Sequence, residues 1–93
     1  GTLCYHLYMT IKGLVWDDWN REHLSIHKVT IEEVEEVCHG KYKVIKSYRK
    51  RIMIVGETKN GRRLAIVLSP EDRNLNVYKE GTYYLITSYE KEV

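Results

Sequence analysis

The chain has 93 residues, 43% of them apolar, with two cysteines and a formal net charge of +2. A chain of that size makes one domain that buries roughly 60 to 65% of its unfolded surface, with little stability to spare. No apolar stretch reaches the roughly 18 to 20 residues of a membrane span, and no basic segment followed by an apolar core opens the chain, so a cytoplasmic protein without membrane contact is expected. Cys4 and Cys38 are too few and too far apart for a disulfide scaffold, and Cys38 reads as a small buried apolar residue.

Residues 1–12 read as a leader that is either an extra edge strand or vector-derived, with Met9 as the natural start, and residues 13–93 as a single domain. Asp17 can cap a first helix whose inner stripe is Trp16, Trp19, His23 and Ile26, spaced by three and four residues. Thr30-Ile31-Glu32-Glu33 is a capping box for a second helix with Ile31, Val34, Val37 and Cys38 inside, and Gly40 can end it.

After Gly40 the period becomes strand-like. Residues 41–49 alternate, with Tyr42, Val44 and Tyr48 on one face and Ile45 interrupting the pattern. Residues 51–58 and 62–69 are apolar on both faces, as central strands are. Asn60-Gly61 between them can supply the positive φ angles of a tight hairpin. Pro70 stops the ladder, residues 71–76 form a polar loop, and residues 83–89 form a last strand. The expected class is α+β, two N-terminal helices packed on an antiparallel sheet.

Charge is unevenly spread. Residues 17–36 carry seven acids against Arg21 and Lys28, a net of −5, whereas residues 41–63 carry nine basic residues against Glu57, a net of +8. Such polarity suits a polyanion on the sheet side and a basic partner on the other, although solvated faces also collect charge.

The run from Trp16 to Val37 resembles the start of the BrnT-like toxins, small ribonucleases of type II toxin–antitoxin systems with a RelE-like fold. The similar pattern is the Trp16-Asp17 pair opening a helix, Asn20 within it, His27 just before Val29 and Thr30, and the Glu32-Glu33-Val34 helix. Residues 51–58 and 61–68 look like that family's paired central strands, so the likeness spans roughly residues 13 to 88. It implies a metal-independent endoribonuclease that cuts RNA, slows translation and is held inactive by a cognate antitoxin. A non-catalytic relative that binds antitoxin or RNA through its basic sheet face is the alternative.

RNA cleavage without a metal needs a base for the ribose 2′-hydroxyl, donors for the phosphate charge and an acid for the leaving oxygen. His27, between the helices, can serve as acid or base; its structural alternative is a ring bonded to a helix end. Arg49 and Arg51 occupy a basic stretch similar to the family's and are phosphate ligands on that reading, or solvated edge charges on the other. Lys46, Tyr48, Lys50, Arg62 and Arg63 supply further cations and a ring for RNA binding. Where relatives read Ile-Ser/Thr-Ala-Arg and then a basic helix, this chain has Ile86-Thr87-Ser88-Tyr89, and the Tyr89 phenol can exchange a proton or stack a base. That shortened end would also leave the strand edge bearing Tyr83, Tyr84 and Tyr89 open to homodimer pairing.

No metal or cofactor is expected. His23 and His27 are four apart, but Leu24 stands where a His-Glu-x-x-His site needs its glutamate, no cysteines are ligand-spaced, and no glycine-rich phosphate loop is present.

Overall fold

A short strand, β1 (Gly13–Val15), comes before either helix. The structure is a computed structural model that describes residues 10–48, 51–71, 74 and 76–91, with the backbone alone for 46–48. After β1, Asp17 accepts the Asn20 backbone N–H and Asn20 accepts that of Asp17, a reciprocal cap that starts α1 (Asp18–Ile26). Thr30 and Glu33 form the same arrangement at the start of α2 (Ile31–Cys38). Four strands follow: β2 (Tyr42–Tyr48), β3 (Arg51–Glu57), β4 (Arg63–Ser69) and β5 (Thr82–Glu90).

The sheet order is β1-β5-β4-β3-β2. Neighbours are antiparallel except β1 and β5, which run parallel with Gly13 opposite Thr82 and Val15 opposite Tyr84. This corrects the expected arrangement of two N-terminal helices on an antiparallel, RelE-like sheet: a strand precedes the helices and the sheet is mixed. The class remains α+β in general. Three residues are too short to show a period of two, and β1 is a strand only because β5, far along the chain, offers it an edge. The β5 edge expected to be open is thus covered at Tyr83 and Tyr84, and Tyr84 is itself buried with its hydroxyl donating to Asp17 at 2.8 Å.

Both helices bury their apolar sides on one face of the sheet, where Leu24, Val34 and Val37 meet Ile54, Leu64, Ile66, Leu68 and Leu85. Each such side chain contributes about 1.5 to 3 kcal/mol. Ile11, from the expected leader, joins this core; residues 1–9 lie outside the described residues. Cys38 is buried as read, and burial, with Glu35 adding to it, pushes its thiol up to about 12, which keeps it unreactive.

α1 is rotated relative to its expected inner stripe, of which Trp16, just before the helix, packs against the core and His23 is half-buried. Asn20 and Leu24 point inwards, whereas Trp19 is 40% and Ile26 71% exposed. The β3–β4 turn also differs from the two-residue form: Gly61 takes φ +83°, its N–H donates to the Thr58 carbonyl, and Thr58 N–H donates to Arg62. This is a three-residue loop, a type I turn closed by a left-handed glycine.

Candidate nucleic-acid interface

α1 ends in a Schellman motif. Lys28 N–H donates to Ser25 and Val29 N–H to Leu24, and Lys28 at the left-handed position has φ 57°, a place usually taken by glycine. Val29 and Leu24, both buried, make the apolar contact that accompanies such an end. The non-glycine residue in this conformation directly follows His27, whose orientation the motif holds.

With Leu24 turned inwards, residues four apart on the neighbouring stripe line the border of α1. The Trp19 and His23 rings stack at 5.1 Å and 8°, His23 meets His27 edge-on at 5.4 Å, and His27 lies 6.3 Å from Tyr89 on β5. α1 can lie along β5 because β1 stops at Val15, and the Asn20 side chain donates to the carbonyls of Val15 and Leu85 where the ladder ends. The four rings therefore run along the sheet border as a line of aromatic faces.

Ser88 is buried on the helix side, so alternation puts Tyr89 on the opposite face. In register across that face stand Tyr89, Ala65, Val55 and Lys43, a row of roughly 14 Å over three strand spacings. The next row pairs Arg63 with Glu57, their charged groups 3.7 Å apart. No described helix packs on this face. Comparison of the chain with protein-family models, with curated proteins and with solved structures gave no match.

The residues singled out from the sequence separate into groups. His27 and Tyr89 come together. Arg51 is exposed on β3 opposite Tyr48, four residues from Val55 and so roughly 13 Å along the strand from the row of Tyr89. Arg49 and Lys50 lie outside the described residues, as do the side chains of Lys46 and Tyr48, whose backbones face Met53 and Arg51 in the ladder.

Arg62 is engaged elsewhere. Its guanidinium holds both Glu33 oxygens at 2.6 and 2.7 Å and Glu90 at 3.2 Å, clipping α2 and the end of β5 to the hairpin. Burial works to raise the Glu33 pKa, but the Thr30 N–H and the Arg62 guanidinium together outweigh it and hold the carboxyl below its ordinary value. Among the described residues no three His, Cys, Asp or Glu side chains converge in a way that would hold a metal.

Spacing alone assigns Trp19 and His23 to the inner stripe; Trp19 is exposed on the border instead, whereas His23, read as a partly buried ring, is half-buried there. Residues 16, 19, 23 and 26 and residues 20 and 24 mark adjacent stripes of one helix, and apolarity favours the tryptophans. The available contrary signal is Asn20, whose side chain can donate to two carbonyls and accept an N–H at an interrupted strand edge, where a tryptophan has a single N–H to give.

Proposed function

We propose that the face bordered by Trp19, His23, His27 and Tyr89 binds single-stranded RNA, and that His27 and Tyr89 act on it as acid and base in metal-independent cleavage. The observation that carries this reading is the line of rings ending in two groups able to transfer protons. Bases of a single strand stack on such rings, and the last two, with centroids 6.3 Å apart, are near enough for their polar groups to meet one phosphate. His27 takes the proton of the 2′-hydroxyl, the 2′-oxygen attacks phosphorus, the bond to the 5′-oxygen breaks, and Tyr89 returns a proton to that oxygen. The products are a 2′,3′-cyclic phosphate and a 5′-hydroxyl.

The resemblance of the run from Trp16 to Val37 to BrnT-like toxins supports placing this activity in a toxin, with an antitoxin that covers the cationic sheet face with acidic groups. Growth arrest on induction, relieved by the product of a neighbouring gene, tests that part. The binding-only reading is favoured by one observation: Arg62 is spent on Glu33 and Glu90 rather than held ready for a phosphate.

Cleavage of RNA by the purified protein with chelator present decides between them. The expected result is fragments ending in cyclic phosphate, with His27→Ala slower by about 10² to 10⁴ and Tyr89→Phe also impaired. His27 is exposed, so its variant keeps the fold. Full activity in both variants, or activity only with added metal, overturns the assignment.

A further inference from the structure

On the same open face, at the β2 end of the row from Tyr89, lies a shallow cleft of about 740 Å³. Lys41, Lys43, Arg63 and Lys91 line it, against the single carboxylate of Glu57. The four cations come from three places: the start of β2, the start of β4 and the residue after β5, where the Lys91 N–H donates to the Arg63 carbonyl. Arg63 and Glu57 stand opposite one another with side chains 39% and 60% exposed, a loose contact that water screens and an incoming anion can replace.

The floor is apolar. Val55 lies between Lys43 and Ala65 in register. Ile45, 46% exposed, sits at a bulge where the β2–β3 register shifts between Val44 and Lys46. A bulge re-aims the side chain that it leaves unpaired. Cations around a small apolar floor suit a phosphate joined to a flat ring better than a bare ion, because the ring covers Val55 and Ile45 while the phosphate meets the lysines and Arg63.

We infer that this cleft seats a nucleoside phosphate, the neighbouring nucleotide of the RNA strand whose reacting phosphate lies at His27 and Tyr89. Arg63 is one strand over and two residues along from Tyr89, roughly 8 Å away, the order of one step of an extended strand. The inference rests on the proposed function for the strand, but the cleft's affinity for a nucleoside phosphate does not depend on cleavage.

The test uses the whole protein, amide chemical shifts and binding titrations. The probes are adenosine, adenosine 5′-monophosphate, and a short and a longer oligouridylate protected from cleavage by 2′-methylation. The monophosphate should shift the amides of Lys43, Val55 and Arg63, and adenosine should not. The longer oligonucleotide should bind more tightly than the short one. Lys43→Ala with Arg63→Ala and Lys91→Ala should lower that gain about tenfold, the loss expected from a few charge-assisted contacts, whereas Lys59→Ala, which removes an exposed cation outside the cleft, should keep it.

If the triple variant binds both oligonucleotides as the parent does, the cleft assignment is overturned and the proposed function stands. If the monophosphate shifts the cleft but no oligonucleotide binds, the strand assignment falls together with the proposed function, and the site takes free nucleotides. No shift with any phosphate-bearing probe overturns the inference outright.

Discussion

Asn20 shows how much one polar side chain can decide. It is 1% exposed, and its amide donates to Val15 and Leu85 while its oxygen accepts from Asp17. Asn20→Ala removes the partner of the Asp17 N–H and of the Val15 and Leu85 carbonyls, the last of them buried, so a loss of about 3 kcal/mol in urea unfolding is expected. Glu33 offers a test with pH. Its folded pKa lies below the unfolded one, so its contribution is present above the ordinary carboxylate value and is lost as pH falls through the folded one. Glu33→Gln should therefore be less stable than the parent at neutral pH, and the gap should close on acidification below the ordinary value of 4.5. A gap that stays constant with pH would remove the Arg62–Glu33 contact as its cause.

At the scale of elements, the approach of α2 to the sheet depends on Gly56. A Cβ there would stand 2.7 Å from the Lys41 carbonyl oxygen and 2.7 Å from a Val37 methyl, whereas one at Gly13 meets nothing within 4 Å. Gly56→Ala should cost about 1 to 3 kcal/mol through overpacking, and Gly13→Ala should be close to neutral. Thermal unfolding of the two variants side by side checks this, and equal stabilities would mean that α2 sits further from β3 than the geometry indicates. The Asp17 cap of α1, the capping box of α2, the extents of β2 to β4 and the interior positions of β3 and β4 are legible in the sequence, because each follows from residues within a few positions of one another. β1 is not, and neither is the inward side of α1, since both depend on where β5 runs.

Across the whole molecule, the charge polarity seen along the chain becomes two differently used surfaces. Part of the cationic stretch is neutralised by carboxylates of the acidic stretch, as at Arg62 with Glu33, and part remains on the open face with Lys43 and Arg63. If RNA binds that face and extends to the far end of β3, Arg49→Glu with Arg51→Glu should weaken binding. The slope of log affinity against log salt should also fall by about 0.7 for each phosphate that the variant no longer neutralises. Binding equal to that of the parent at low and moderate salt would confine the strand to the row between Tyr89 and Lys43.

The sequence by itself determined the helix starts, the strand periods, the hairpin at Asn60-Gly61 and the uneven charge, all of which are set by local backbone preference and residue order. Only the tertiary structure decided that β1 completes a mixed sheet, that Trp19 lies outside, that His27 meets Tyr89, and that Lys43, Arg63 and Lys91 share a cleft. These juxtapositions join residues from opposite ends of the chain. They depend on strand register, and register follows from burying one face of every strand at once rather than from any one segment.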